Sequence, residues 1–266
     1  MNKKQILAEA KRLHKSEKNR KQVSATTTRH PEMTIADAYQ IQQAWIDIKK
    51  EEGRTIVGHK IGLTSRAMQK NMGIEEPDFG TLLDDMVYEE GTSIESHLFL
   101  DPKIEVELAF VLKKKLEGPK VSITDVLNAT DYVIPALELI AARSYRVHPK
   151  TGYRRTVRDT ISDNAANAGI ILGGRPMKPN DLDLRWVGAM MSRNGVIEES
   201  GVSGAVLNHP AKGIAWLAKK YAAYGRALEP NQIILAGSFT RPVNIRPGDT
   251  FVVDYGKMGN ISCYFS

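Results

Sequence analysis

The chain has 266 residues, room for about one large domain or one domain with an arm. Apolar residues make up 42% and charged residues 26%, a balance that excludes a disordered chain, a collagen and a coiled-coil rod. The net charge of +6 is local: residues 1–22 hold eight Lys/Arg against two acids, and the remainder is balanced at 29 of each. A neutral body offers no global field for phosphates, and a basic helical face is ordinarily just solvated, so no nucleic-acid partner is expected. No apolar run reaches the ~18 residues of a membrane span, so no membrane partner is expected either. The opening residues lack the apolar core and small-residue cleavage site of a secretory signal. One cysteine, Cys263, rules out an internal disulfide and a cysteine zinc cluster, and the reducing cytoplasm is the expected compartment.

In chain order, the arm reads as a helix with Ile6, Leu7, Ala10 and Leu13 on one stripe and lysines opposite. A second helix follows Thr34, its expected cap, with Asp37 favouring the dipole and Gly53 as the stop. After Gly53 the texture changes to short strands with turn residues between them. Strands are expected over Ile56–Leu63, Pro102–Leu112, Tyr132–Ile140, Gly169–Leu172, Leu184–Ser192, Gln232–Leu235, Thr250–Asp254 and Asn260–Phe265. Asn194-Gly195 predicts a type I′ hairpin turn, and Arg246–Asp249 another turn. Helices are expected over Ser122–Ala129 and His209–Tyr224. Strands and helices do not alternate regularly, which argues against a doubly wound parallel sheet. The expectation is an α+β fold with a mixed, mainly antiparallel sheet, preceded by a helical region over 1–55, with the main domain over 56–266.

The segment Pro102–Val111 carries the most chemistry. Residues two apart on a strand share a face, so Ile104, Val106, Leu108 and Phe110 point one way and Glu105 and Glu107 the other. Two neighbouring, partly desolvated carboxylates repel, and a divalent cation relieves the repulsion; all-oxygen ligands select Mg²⁺, Mn²⁺ or Ca²⁺. Glu138, one acid in the apolar run Tyr132–Ile140, is the expected third ligand, because such an acid rarely stays buried unpaired. The bland alternative is a solvated Glu-x-Glu face, with Glu138 paired to Arg143.

In Ile56–Leu63, Gly58, Lys60 and Gly62 share a strand face. A lysine flanked by glycines has open space for a ligand, and near a metal it can act as an acid or base. The alternative is a surface lysine with His59 packed in the core. Glu76–Gly80 reads as a loop, whose acids are usually solvated. Asp159–Asn167 suits either a helix start or a polar pocket wall. Ala236–Arg241 suits either a strand end or a cradle of N–H groups with Ser238 that holds a carboxylate.

Together these segments resemble the fumarylacetoacetate-hydrolase superfamily, and within it the group of 2-oxo-4-enoate hydratases and oxalocrotonate decarboxylases. The resemblance runs through Gly58–Ser65, Pro77–Gly80, Ile104–Glu107, Asp131–Glu138, Ser162–Ala165, Leu207–Pro210 and Asp254–Gly256. It implies a fumarylacetoacetate-hydrolase-like catalytic domain over 56–266. It also implies Mg²⁺, or Mn²⁺, on Glu105, Glu107 and Glu138, with Lys60 and Asp78 in acid–base roles. The implied reaction is hydration of 2-oxo-hept-4-ene-1,7-dioate to 4-hydroxy-2-oxoheptanedioate in homoprotocatechuate catabolism. The alternatives are 4-oxalocrotonate-type decarboxylation and 2-oxopent-4-enoate hydration. The decarboxylases tend to carry an aliphatic residue at the position of Asp78, which favours hydration. Arg143, Asn164 and Ser238 are the expected substrate contacts, with Arg143, Arg158 and Arg241 as candidates for the C7 carboxylate. Ala141 departs from the group, which often has an acid there. A homo-oligomer, able to associate with a pathway decarboxylase, is also implied.

Overall fold

A computed structural model describes residues 1–266, apart from the side chain of Asn71. Its helices are α1 (Lys3–Lys18), α2 (Ile35–Glu51), α3 (Arg66–Met72), α4 (Ile123–Ala129), α5 (Val157–Ser162) and α6 (Ala211–Ala222). The strands are β1 (Ile56–Gly62), β2 (Asp78–Leu83), β3 (Val87–Glu89), β4 (Ser93–Ile94), β5 (Lys103–Leu112), β6 (Thr130–Ile140) and β7 (Asn167–Leu172), followed by β8 (Gly188–Arg193), β9 (Val196–Val202), β10 (Ile233–Leu235), β11 (Val243–Asn244), β12 (Thr250–Asp254) and β13 (Asn260–Phe265). No helix is long and apolar enough to cross a membrane among the described residues.

Local signals explain the helical arm. Asn2 and Gln5 close a capping box on α1, and Thr34 and Asp37 close one on α2. Past the end of α2, Gly53 takes φ +89°, a left-handed conformation that glycine adopts without steric cost. The two helices bury Ile6, Ala10, Leu13, Ile41, Trp45 and Ile46 in a cluster shared with Leu83, Met86, Val157 and Ile161, so the arm packs directly on the following chain.

Two sheets follow. The larger has eight strands in the order β2-β1-β10-β5-β6-β7-β3, with β11 alongside β5; the smaller runs β4-β13-β12-β8-β9. Pairing is antiparallel except at β1–β10, β3–β7 and β4–β13, as the expected mixed, mainly antiparallel sheet requires. One face of β5, with Ile104, Val106, Leu108 and Phe110, enters the main core together with α6 and the smaller sheet. The opposite face carries the polar site above a small apolar floor of Leu82, Ala109, Ala136, Ile170 and Leu235.

Three local expectations are corrected. Asp78 opens β2 and is buried, although its Pro/Gly context reads as a loop. The reason is tertiary: a Cβ on Gly80 would lie 2.5 Å from the Asn164 carbonyl oxygen, so only glycine lets the strand pass there. Leu184–Trp186 is a 3₁₀ turn in which the Asp183 side chain accepts from the Arg185 N–H, and strand begins only at Gly188. The helix expected over His209–Tyr224 spans Ala211–Ala222. The Asn194-Gly195 hairpin forms between β8 and β9 with both residues at positive φ, 53° and 83°.

Candidate active site

The sheet register brings the acids together. Glu105 on β5 lies directly opposite Glu138 on β6, and Glu107 lies two residues further along the same face. Like charges in directly opposed positions destabilise a sheet unless something binds them. One oxygen from each of Glu105, Glu107 and Glu138 falls within 4.8 Å of the others. Glu138 is fully buried; its Oε1 accepts from Asn167 Nδ2 at 2.8 Å and lies 3.4 Å from Lys60 Nζ, while its Oε2 has no protein partner among the described residues. Glu107 is held by the Gly237 backbone N–H at 2.8 Å. The loop after β10 is thus the carboxylate cradle, and the carboxylate it holds is the protein's own.

Electrostatics reflect the crowding. Burial, and then the charge of Glu138, push Glu105 up to about 7 and Glu107 well above the usual carboxylate range. Burial works against the Lys60 ammonium, but Glu138, Asp78, Glu105 and Glu107 outweigh it and raise its pKa. Burial raises Asp78, against the opposing charge of Lys60. Three oxygen ligands and an orphaned, buried Glu138 Oε2 fit a hard divalent cation such as Mg²⁺ or Mn²⁺.

Lys60 reaches this cluster from β1, buried to 4% exposure, which excludes the surface-lysine reading. His59, on the opposite face of β1, is packed in the core with its Nδ1 3.0 Å from the Tyr221 hydroxyl. The glycines beside Lys60 have separate reasons. A Cβ on Gly62 would sit 2.3 Å from Asp78 Oδ1 and 2.9 Å from Lys60 Nζ, so that glycine makes room for the acid–base pair. A Cβ on Gly58 would meet the Ile233 carbonyl oxygen at 1.9 Å; that glycine serves strand packing. Asp78 Oδ1 is buried and unpartnered among the described residues.

The expected substrate contacts fare differently. Arg143 is corrected: its Nε donates to Glu17 at 2.7 Å, Nη1 to Asp163 at 3.1 Å, and both Nη atoms to the Asn167 carbonyl at 3.4 Å, with the guanidinium over the Trp45 ring. It clamps the arm to the loop before β7, and its charge is spent on Glu17 and Asp163 rather than on Glu138. Asn164 pairs its side-chain amide with the Thr81 backbone, accepting at 2.8 Å and donating at 2.9 Å, which leaves one amide N–H uncommitted. Ser238 lies next to Gly237 and Glu107, but its hydroxyl proton goes to the Thr240 carbonyl at 2.9 Å. Asp159–Asn167 is both a capped helix and a wall of the site. Thr156 and Asp159 cap α5, then Asn164, Ala165 and Ala166 take three successive left-handed conformations that deliver Asn167 to Glu138. Sequence reasoning does not single out Asn167, since an asparagine by itself signals no ligand-holding role, whereas the Gly237 N–H falls within the Ala236–Arg241 cradle.

Residues 55–265 match the family profile described as fumarylacetoacetate (FAA) hydrolase C-terminal. The chain belongs to the fumarylacetoacetate hydrolase family. Among proteins of this family, the chain is 62% identical over 256 residues to 2-oxo-hept-4-ene-1,7-dioate hydratase of Escherichia coli, covering 96% of each. It is 37% identical over 265 residues to 4-oxalocrotonate decarboxylase of Pseudomonas putida, covering 100% of this chain and 98% of the relative. The solved 4-oxalocrotonate decarboxylase from Pseudomonas putida G7, complexed with magnesium and adipate, superposes with a TM-score of 0.95 at 35% identity, covering 100% of this chain and 99% of the other. The family profile begins after the helical arm, whereas the superposition on that relative covers the arm as well.

Proposed function

We propose that this chain is a Mg²⁺-dependent hydratase that adds water to 2-oxo-hept-4-ene-1,7-dioate to give 4-hydroxy-2-oxoheptanedioate. The observation that carries the reading is the convergence of Glu105, Glu107 and Glu138 beside Lys60 and Asp78. The 62% identity to a hydratase of that name supports the substrate.

A bound cation would supply Lewis acidity to the 2-oxo acid end of the substrate, lowering the cost of negative charge on the 2-oxygen. Glu105, Glu107 and Glu138 would hold it. The protein's own groups carry the proton traffic. Asp78, whose burial favours the neutral acid, exchanges a proton with C3 and C5, turning the 4-ene into a conjugated 3-ene. Water then adds its oxygen at C4 and a proton at C3, so the net change is OH on C4 and H on C5. The Lys60 ammonium, kept charged by the surrounding carboxylates, donates toward the charge that develops on the substrate and orients the water. The apolar floor of Leu82, Ala109, Ala136, Ile170 and Leu235 keeps other water away from below.

The same reading includes a role in homoprotocatechuate breakdown in the cytoplasm, as a homo-oligomer able to associate with a pathway decarboxylase, with 1–55 and 56–266 as its structural units. The test supplies the substrate as its enol tautomer, 2-hydroxyhepta-2,4-dienedioate, follows loss of that diene's absorbance with Mg²⁺ and with chelator, and traps any CO₂. Hydration that requires the metal and releases no CO₂ is expected. Glu107→Gln should remain folded and lose turnover, and Asp78→Asn should lose about 10²–10⁴-fold in kcat. Full activity of Glu107→Gln in chelator would refute the scheme, and CO₂ release from 4-oxalocrotonate at the faster rate would make the chain a decarboxylase.

A further inference from the structure

A dioic substrate has a second carboxylate, and its charge needs a partner. The three arginines suggested by sequence position do not supply one. Arg143 is held by two carboxylates, Glu17 and Asp163, and by the Asn167 carbonyl. Arg158 Nη1 donates to the Pro31 and Met33 carbonyls at 3.2 and 2.8 Å, beneath the N-terminal segment. The Arg241 side chain is 85% exposed and pairs with Glu199 on β9, in the other sheet.

A different set of cations flanks the outer end of the acid cluster. Lys103 is the first residue of β5 and shares the strand face of Glu105 and Glu107. It is half-buried and has no ion-pair partner among the described residues. The segment between β6 and α5 folds back as a hairpin: His148 N–H donates to the Tyr153 carbonyl at 2.8 Å, Val147 bridges Arg154, and Arg155 N–H donates to the Arg146 carbonyl at 3.0 Å. The hairpin places Arg146 against the start of β5, where its Nε donates to Asp101 Oδ2 at 2.8 Å and Nη2 to the Asp101 carbonyl at 3.0 Å. Arg155, 9% exposed, uses Nη1 on Asp163 and the Ser144 carbonyl; its Nε and Nη2 have no protein acceptor among the described residues.

The charge count sharpens this. Arg146 is paired with Asp101, Arg143 and Arg155 share Asp163, and Glu17 is divided between Arg143 and Lys49. Lys103 has no carboxylate of its own among the described residues, so this end of the site keeps positive charge enough for one carboxylate. The spacing also suits. Two strand residues advance about 7 Å from Glu105 to Lys103. The five bonds from C2 to C7 of an extended seven-carbon acid cover about 6 Å at the ~1.2 Å advance per bond of an extended chain.

We infer that Lys103, with Arg146 and Arg155, forms the subsite for the far carboxylate of a 2-oxo dioic acid whose 2-oxo end sits on Glu105, Glu107 and Glu138. This rests on the 2-oxo acid reading of the acid cluster. It makes dioate selectivity a property of the start of β5 and the 145–155 hairpin, outside the residues that move protons.

The test compares two unreactive ligands that share the 2-oxo acid end and differ only in the terminal carboxylate: 2-oxoheptanedioate and 2-oxoheptanoate. Each is titrated calorimetrically into the full-length protein with Mg²⁺. The native protein should prefer the dioate by at least about tenfold, the size of one charge-assisted hydrogen bond. Lys103→Met and Arg146→Gln should each erode that preference while 2-oxoheptanoate and Mg²⁺ titrate as in the native protein, and Lys103→Arg should restore most of it. Binding of both ligands by the native protein with equal strength overturns the subsite alone. So does a Lys103→Met protein that keeps the full preference. Failure of either ligand to bind in a Mg²⁺-dependent way overturns the 2-oxo acid reading itself.

Discussion

Asn167 Nδ2 donates to Glu138 Oε1 at 2.8 Å, on the carboxylate whose other oxygen is left without a protein partner among the described residues. The amide fixes the carboxylate rotamer and leaves Oε2 free, with one Glu138 oxygen within 4.8 Å of oxygens of Glu105 and Glu107. Behind it, Arg143 holds the Asn167 carbonyl at 3.4 Å and is itself held by Glu17 of α1. A residue far from the chemistry, in the arm, thereby steadies a proposed metal ligand.

Removing that amide should loosen the cation site. Asn167→Ala is expected to weaken Mn²⁺ or Mg²⁺ binding about 10–100-fold, the usual effect of losing the partner of a ligand. Calorimetric titration, with Mn²⁺ resonance spectra as a second readout, measures it. Asn167→Ala binding Mn²⁺ as tightly as the native protein would show that Glu138 is placed by the strand alone.

The two glycines of β1 should separate stability from turnover. Gly58→Ala drives a methyl to within 1.9 Å of a backbone oxygen that cannot move aside, so the fold should lose about 1–3 kcal/mol or more. Gly62→Ala meets only the ends of the Asp78 and Lys60 side chains, at 2.3 and 2.9 Å. These can swing, so stability should change little while kcat falls about 10²-fold from the misplaced acid–base pair. Denaturation midpoints and steady-state rates for the two variants decide this, and equal losses of stability would contradict it.

Cation binding should weaken as the solution turns acid. Glu105 is raised from 4.5 to about 7 in the metal-free fold. A raised carboxylate binds its proton more tightly when folded, so it favours the metal-free fold fully below pH about 4.5. That contribution fades as pH rises through about 7. The proton and the cation compete for the same oxygens, so the apparent Mg²⁺ affinity should drop below pH about 7 with release of protons on binding. Titrations at pH 6, 7 and 8 in two buffers of different ionisation enthalpy test the coupling, and a pH-independent affinity would contradict it.

Glu17 runs the opposite way. Burial works against its charge, but Arg143 and then Lys49 outweigh it and lower its pKa from 4.5 to about 2. A depressed carboxylate stabilises the fold above pH about 4.5, and the contribution is lost as pH falls toward about 2. Glu17→Gln should therefore lose stability on the order of 1–3 kcal/mol near neutral pH, with the difference from the native protein closing in acid. Urea midpoints at pH 7 and pH 3 read it. A constant difference across that range would mean that the loss came from packing alone.

Periodicity made the face of β5 legible. The alternation of Ile104, Val106, Leu108 and Phe110 with Glu105 and Glu107 fixes which side each takes, because the strand repeat is two residues. The helix start at Thr34 and the Asn194-Gly195 turn are local for the same reason: a cap or a tight turn needs only a few adjacent residues. Asp78 shows where local reading fails. Its Pro/Gly neighbours say loop, and the strand forms because Gly80 lets the distant Asn164 carbonyl approach.

The sequence by itself determined the chemistry on offer: an acid pair on a strand, a lone acid in an apolar run, and a lysine among glycines. Only the tertiary structure decided their company. It set Glu105 opposite Glu138 through the β5–β6 register, gave Glu107 to the Gly237 N–H, and bound Arg143 to Glu17 and Asp163. Those partners lie 33, 130, 126 and 20 residues apart in the chain. No pattern within a single strand or turn encodes them, because a long-range pair is chosen by the packing of whole elements and by the cost of leaving a buried charge alone.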